Sequence, residues 1–234
     1  QALGNRSVSE FSAYLKDLVA DRRRHPGDPQ HDVLTRLIQG EGSETHAGDG
    51  GARPGVPVEP LSQAELLHNC IFILNAGHET TTNLIGNALV VLQEWPDEKR
   101  RLLSILKLSA DDPQGLDSHL TLVVDEFLRF ESSNQLGNRR ALRPCSVGGC
   151  QLEEGALITL GIGAANRDPA QFADPDRLDL TRGNGRHGFP GSKHLAFGVG
   201  IHQCAGLSLA RLEGRIAIGR FLQRFPDYRL TQPP

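Results

Sequence analysis

The sequence predicts a protein that is mainly α-helical with a small β portion. Apolar residues recur at helical spacing through most of the chain, and one such stretch runs unusually far, from Ser62 to Trp95. Glycine turns beside short apolar runs, the pattern of strands, begin after Ala141. With 234 residues, 38% of them hydrophobic and 23% charged, the chain has the size and composition of one globular domain or at most two.

The region before the long apolar stretch contains two predicted helices and a loop. Apolar residues at helical spacing predict an amphipathic helix over 9–20 and a shorter helix over 31–39. Residues 40–60 are rich in Gly, Pro, Ser and Glu, and this composition predicts a flexible surface loop.

The longest predicted helix begins at a capping box. Ser62 and Glu65 have the hydroxyl and carboxylate spacing that satisfies the first N–H groups of a helix. The apolar pattern then continues to Trp95 and Pro96, which gives a helix about 50 Å long at ~1.5 Å per residue. Because this helix is apolar on most sides near its middle, we expect it to cross the interior of the protein.

The second half of the chain alternates between helical and strand-like patterns. Further amphipathic helices are predicted over 97–108 and 117–130, and a last one runs from near Cys204 to about Phe225. Between them, residues 147–155 predict a hairpin with glycine turns, and a short apolar strand follows over 156–160. The expected β portion is therefore confined to one region.

Charge, hydropathy and cysteine content narrow the function classes. The net charge is -3 and no long basic run occurs, so we expect no nucleic-acid partner. The longest apolar stretch, 70–76, is too short to span a membrane, and the first residues lack the apolar region of a signal peptide, which favours a cytoplasmic chain. Four irregularly spaced cysteines favour reduced thiols. Because the sequence has no methionine, we expect a processed chain or a fragment.

The strongest chemical signal is the segment 197–206, Phe-Gly-Val-Gly-Ile-His-Gln-Cys-Ala-Gly. Gly198 and Gly200 precede Cys204, Gly206 follows it, and a predicted helix starts directly behind. Glycines let a bulky partner approach the backbone closely, and a helix N-terminus favours thiolate over thiol. The pattern suits an iron-binding thiolate; the alternative is a buried structural cysteine after a glycine-rich turn.

This segment resembles the haem-binding loop of the cytochromes P450 at every position that the family pattern specifies. The resemblance implies that Cys204 is the axial ligand of haem b (iron protoporphyrin IX) and that Phe197 packs beside its sulfur. It also implies that His202 meets a haem propionate, and it places Gly198 and Gly206 in the cofactor-binding loop.

A segment in the middle of the long helix, Ala-Gly-His-Glu-Thr-Thr at 76–81, resembles the family's oxygen-binding segment. The resemblance assigns proton handling to Glu79 and Thr80, and the small Gly77 leaves room for O2. The alternative is that the threonine hydroxyls bond back to helix carbonyls and Glu79 is a solvated charge. The substrate pocket would be lined by Ile71, Phe72, Leu74, Asn75 and Ala76.

Four further residues with long polar side chains resemble structural or cofactor-binding positions of the family. Glu126 and Arg129 match its E-x-x-R motif, and Arg177 would supply the second arginine of a buried network that locks the core next to the haem. Arg139 matches a propionate-binding arginine, with a solvated loop arginine as the alternative. His194 either touches the haem or packs in the core.

The resemblance implies the C-terminal half of the cytochrome P450 fold, so residues 1–234 would form one partial domain. The implied activity is that of a haem-thiolate monooxygenase, which inserts one oxygen atom of O2 into a small organic substrate with electrons from a ferredoxin or flavoprotein reductase. Two alternatives are a non-catalytic haem-binding remnant and a haem-free helical interaction domain. Ser133 stands where the family normally has proline, so the turn at 132–137 is expected to differ.

Overall fold

The computed structural model describes residues 2–39, 61–108, 112–182 and 194–231. It is mainly helical and carries two small antiparallel sheets, as the sequence predicts. The described residues group into two compact units, with the boundary between His78 and Glu79. The flexible loop predicted at 40–60 lies outside the described residues.

The first unit contains α1 (Ala2–Arg24), α2 (Val33–Gln39) and the first half of α3 (Gln63–Glu94). Its small core is formed by four buried side chains of α1 and α3: Leu15, Val19, Leu66 and Leu67. Helix α1 extends beyond the predicted range at both ends. Its last turn holds three arginines, whose charges are favourable at a helix C-terminus.

Helix α3 confirms the predicted long helix and its cap. The Ser62 N–H donates to Glu65 Oε2 at 2.9 Å, and the Glu65 N–H donates to Ser62 Oγ at 3.3 Å. The expectation that the middle of α3 is buried is wrong, because residues 72–79 are all exposed. Phe72 exposes 69% and Leu74 54% of their surface. The apolar pattern of α3 therefore predicts a face that favours apolar contacts, but it does not identify the residues that make those contacts.

The second unit is built around α5 (Pro113–Phe130) and α7 (Leu207–Arg224), with α4 (Pro96–Leu108) and the second half of α3. Its core is formed by apolar side chains that are at most 2% exposed: Leu84, Ala88, Leu92, Leu102, Val123, Val124, Phe127, Leu178, Leu180, Ile218 and Leu222. Gly214 lets α7 approach closely, since a Cβ there would lie 3.1 Å from Leu84 Cδ2.

The β portion forms two antiparallel pairs. Strand β1 (Leu136–Arg140) pairs with β4 (Leu157–Gly161), and β2 (Cys145–Val147) pairs with β3 (Cys150–Leu152). The predicted hairpin and strand are confirmed, and the hairpin turn contains two glycines with φ of 56° and 83°. Strand β1 was missed because its sequence, Leu-Gly-Asn-Arg-Arg, lacks apolar alternation. The short helix α6 (Ile162–Ala165) follows β4 directly.

Candidate functional site

The segment 197–206, named the Cys204 loop, is closed by a backbone hydrogen bond. The Cys204 N–H donates to the Phe197 carbonyl at 2.8 Å. Gly198 and Gly200 have φ of 68° and 81°, values that residues with a side chain rarely adopt, so the loop needs glycine at both positions. A short 3-10 turn leads into the cysteine, and α7 begins directly behind the loop.

Cys204 is exposed, and its loop also exposes two apolar side chains. Val199 exposes 75% and Ile201 92% of their surface. A Cβ added at Gly206 would lie 3.9 Å from the Cys204 sulfur, so glycine keeps the space beside the sulfur free. An exposed cysteine in a loop that also exposes apolar side chains fits a haem, which takes one thiolate from the protein and needs apolar contact area. Across the part of the chain that the structure describes, no group of three or more His, Cys, Asp or Glu side chains could hold a metal ion.

A buried polar cluster lies behind the Cys204 loop. His194 Nε2 donates to Asp125 Oδ1 at 3.3 Å, and Arg211 Nε donates to the same oxygen at 2.7 Å. Burial raises the pKa of Asp125, but the hydrogen bonds from His194 and Arg211 outweigh it, so this pKa lies below its ordinary value. His194 is thus buried and packed, which is one of the two roles expected for it.

The E-x-x-R pair forms a buried ionic network next to this cluster. Arg129 donates to Glu126 in bidentate fashion, from Nε at 2.8 Å and from Nη2 at 2.9 Å. Their side chains are only 2% and 3% exposed. Arg182 Nε lies 3.1 Å from both Glu126 carboxylate oxygens, and the Asp179 N–H donates to Glu126 Oε1 at 3.0 Å. Glu126 therefore accepts from two arginines and one backbone amide.

The prediction that Arg177 supplies the second arginine of this network is wrong. Arg177 contributes its backbone carbonyl, which accepts from Arg129 Nη2 at 3.2 Å and from Arg182 Nη2 at 3.1 Å. The chain turns at Asp179, where the Thr181 N–H and hydroxyl both donate to the carboxylate. This turn brings the side chain of Arg182 to the carboxylate that Arg177 was expected to meet.

Asn166 is a further buried residue that sequence reasoning missed. Its carbonyl accepts from Arg129 Nη1 at 2.9 Å, and its side-chain oxygen accepts from the Leu195 N–H at 2.7 Å. It therefore connects the arginine network to the chain that enters the Cys204 loop. Asp125 was also missed, although the sequence contains a signal for it. An acid directly before Glu126 interrupts the apolar run of α5.

The remaining predicted site residues are mostly exposed. Arg139 lies in β1, where its Nη1 donates to the Asn138 carbonyl at 2.8 Å. Glu79 is exposed and Thr80 is partly buried on α3, while Ile71 packs against the core of the first unit. A last group shares an exposed position on α3 or in the Cys204 loop: Phe72, Leu74, Asn75, Ala76, Gly77, Gly198, His202 and Gly206. Their expected contacts with haem, O2 or substrate stay predictions.

Comparison with known proteins gives many relatives, several of which carry the name cytochrome P450. The chain is 40% identical over 222 residues to cytochrome P450 107B1 of Saccharopolyspora erythraea, covering 94% of this chain and 46% of that protein. It is 36% identical to the vitamin D(3) 25-hydroxylase of Pseudonocardia autotrophica, over 97% of this chain and 48% of that protein. The chain thus spans about half the length of the curated relatives it matches.

Solved structures give the same result. The structure of P450BioI in complex with hexadec-9Z-enoic acid ligated acyl carrier protein matches with a TM-score of 0.77 and 33% identity, over 99% of this chain and 50% of that chain. The structure of CYP109E1 from Bacillus megaterium in complex with testosterone also matches with a TM-score of 0.77, at 27% identity, over 98% of this chain and 54% of that chain. The family model described as "Cytochrome P450" matches residues 2–227. The chain therefore belongs to the cytochrome P450 family and corresponds to the C-terminal portion of its fold.

Proposed function

We propose that this chain is the haem-thiolate portion of a monooxygenase that inserts one oxygen atom of O2 into a small organic substrate. The Cys204 loop carries the proposal. It holds an exposed cysteine and two exposed apolar side chains, it is closed by the Cys204–Phe197 backbone bond, and it lies at the start of α7. The thiolate is the form of a cysteine that binds iron.

Several residues of the described structure would hold haem b in this proposal. Cys204 would supply the axial thiolate, with Gly198 and Gly206 leaving the backbone free of side chains around it. His202 and Arg139 are exposed basic side chains that would pair with the haem propionates. When bound, the haem would supply the binding and reductive activation of O2. The thiolate of Cys204 would donate electron density to the haem iron, an effect that favours O–O cleavage in haem-thiolate proteins.

Glu79 and Thr80 would handle protons for this reaction. Glu79 is exposed and can exchange protons with solvent, whereas Thr80, its neighbour on α3, is partly buried. Both side chains would organise the water that delivers protons to the reacting oxygen. The substrate-binding residues would be Ile71, Phe72, Leu74, Asn75 and Ala76, with Gly77 as the space for O2.

Substrate and redox partner are proposed by class only. The relatives carry names that refer to different compounds, among them vitamin D(3) and biotin, and P450BioI is described with an acyl carrier protein. Such variety supports a small organic substrate without selecting one. Electrons would come from a ferredoxin or a flavoprotein reductase. Among the described residues, no helix is long and apolar enough to cross a membrane.

The assignment of Cys204 is tested by the spectrum of the reduced, carbon monoxide-treated full-length gene product. Cys204→Ser should abolish the strongly red-shifted Soret band, because a hydroxyl does not replace the thiolate. Cys145→Ser and Cys150→Ser are matched controls on the β2–β3 hairpin and should leave the band unchanged. A red-shifted band that survives Cys204→Ser would contradict the assignment. Absence of haem from the wild-type protein would favour the haem-free interaction domain.

The role of Thr80 is tested by the coupling of reductant consumption to product. Thr80→Ala should still consume reductant but release peroxide in place of hydroxylated product, with haem content nearly unchanged. Thr82→Ala, on the same helix, is the matched control and should keep the wild-type coupling. Undiminished coupling in Thr80→Ala would overturn the role of Thr80. Haem binding without any product in the wild-type protein would favour the non-catalytic remnant.

A further inference from the structure

Asp125 lies behind the Cys204 loop and holds one residue on each side of it. His194 precedes the loop and Arg211 follows it on α7, yet both donate to the same carboxylate oxygen, Oδ1. Because the loop lies between these two residues in the chain, one carboxylate sets the distance between the two ends of the loop. The Asp125 side chain is only 12% exposed, so solvent screens these bonds weakly.

His194 and Arg211 also meet on the ring of Phe197, the first residue of the loop. The ring centroids of His194 and Phe197 are 5.7 Å apart. The Arg211 guanidinium carbon lies 4.8 Å from the Phe197 centroid, which is within the range of a cation–π contact. The Phe197 carbonyl in turn accepts from the Cys204 N–H. A chain of contacts therefore runs from Asp125 through Phe197 to the backbone of Cys204.

The orientation of the His194 ring is also determined. The Ala196 N–H donates to His194 Nδ1 at 3.2 Å, so Nδ1 acts as an acceptor and the ring proton lies on Nε2. That proton is directed at Asp125. Both ring nitrogens thus have a partner, and only 2% of the His194 side chain is exposed.

A second ion pair between α5 and α7 provides a reference. Arg215 Nη1 donates to Asp117 Oδ2 at 2.5 Å, and it also donates to the hydroxyl of Thr121. This pair connects the same two helices as the bond between Asp125 and Arg211. Both hydrogen bonds connect Arg215 on α7 with residues of α5, and neither involves the Cys204 loop.

We infer that Asp125 is a positioning residue for the Cys204 loop. It fixes Phe197 and the Cys204 backbone amide through His194 and Arg211, so that the loop is already formed in the haem-free protein. Preformed ligand loops bind better because less conformational freedom is lost on binding. The inference rests on the proposed function, in which Cys204 is the haem ligand.

The test measures hydrogen–deuterium exchange of the Cys204 and Gly198 amides in the haem-free full-length gene product. Both amides donate within this region, to Phe197 and Leu195 respectively. In Asp125→Asn, which keeps the side-chain shape, the two amides should exchange about tenfold faster relative to core amides of α5, as expected for the loss of a charge-assisted bond. Arg211→Gln should show the same change, and Asp117→Asn should not.

A second measurement separates this inference from the proposed function. In the haem-loaded protein, Asp125→Asn should keep the thiolate band but shift the haem reduction potential, while Asp117→Asn leaves the potential at the wild-type value. Equal loop exchange in Asp125→Asn and Asp117→Asn would overturn the positioning role whatever the spectrum shows. A wild-type protein without the thiolate band would overturn the proposed function, and the exchange comparison would still decide whether Asp125 positions the loop.

Discussion

The scaffold behind Cys204, namely the buried network around Glu126 and Arg129, differs from the Cys204 loop in burial and in the contacts of its side chains. Behind the loop, Glu126 and Arg129 are buried and fully engaged with each other and with neighbouring groups. In the loop, Val199 and Ile201 are apolar but expose most of their surface. The buried groups contribute to the stability of the described fold, whereas the exposed apolar side chains contribute little to it. In the proposed function, stability and haem contact would therefore come from different residues of adjacent segments.

The largest test of this division removes an arginine from the scaffold. Arg129→Leu should leave Glu126 buried with only part of its partners, and breaking a buried ion pair costs about 3–5 kcal/mol. The measurement is the free energy of unfolding from urea denaturation. Arg100→Leu removes one partner of an exposed pair with Asp97 on α4 and should cost less than about 1 kcal/mol. Similar losses for Arg129→Leu and Arg100→Leu would show that the buried network does not stabilise the scaffold.

A smaller effect is expected from acid, through Asp125. The folded pKa of Asp125 lies below its ordinary value of 3.8, so the unfolded chain takes up its proton first as the pH falls. The contribution of the ionised Asp125 to the free energy of unfolding is therefore complete well above pH 3.8. It is lost as the pH falls through the pKa of Asp125 in the folded protein. Asp125→Asn should lower stability by about 1–3 kcal/mol at neutral pH.

The measurement for Asp125 is the difference in unfolding free energy between the wild type and Asp125→Asn from pH 7 down to pH 3. The difference should narrow at the acid end, since the wild type alone loses the ionised form of this carboxylate. A difference that stays constant over this range would mean that the bonds to His194 and Arg211 do not depend on the charge of Asp125.

Local sequence patterns predicted the parts of the structure that depend on neighbours in the chain. The α3 helix follows from the capping box at Ser62 and Glu65 and from apolar periodicity, and the hairpin follows from its glycines. Strand β1 could not be predicted, because its own sequence lacks apolar alternation and only its pairing with the distant strand β4 makes it a strand. The wrong expectation that the middle of α3 is buried has a related cause: periodicity gives the apolar face of a helix, while the cover of that face depends on distant segments.

The candidate site shows the same limit. Cys204 and the Glu126–Arg129 pair were found because each belongs to a contiguous segment that resembles a motif of the family. The choice of Arg182 over Arg177 depends on a turn at Asp179 that no local pattern specified. The cluster around Asp125 joins three segments of the chain, so its members could be suspected one by one but not connected.

The smallest expected effect compares two glycines that receive the same substitution. A Cβ at Gly214 on α7 would lie 3.1 Å from Leu84 Cδ2 and 3.3 Å from Val124 Cγ1, and both neighbours belong to the packed core. At Gly86 on α3, nothing lies within 4 Å of the added atom. Gly86→Ala should therefore stabilise the protein by about 0.5–1 kcal/mol, since alanine favours a helix interior over glycine.

Gly214→Ala gains the same helix propensity but has to displace core side chains. Inserting a methyl group into a packed core costs about 1–3 kcal/mol, so the net change should be neutral to destabilising by about 2 kcal/mol. Thermal unfolding of the two variants and the wild type measures the difference. The melting temperature of Gly86→Ala should exceed that of the wild type, and that of Gly214→Ala should be lower than that of Gly86→Ala. If Gly214→Ala raised the melting temperature as much as Gly86→Ala, the contact between α7 and the core would be looser than the distances to Leu84 and Val124 indicate. The scaffold behind Cys204 would then be less rigid than the positioning role of Asp125 requires.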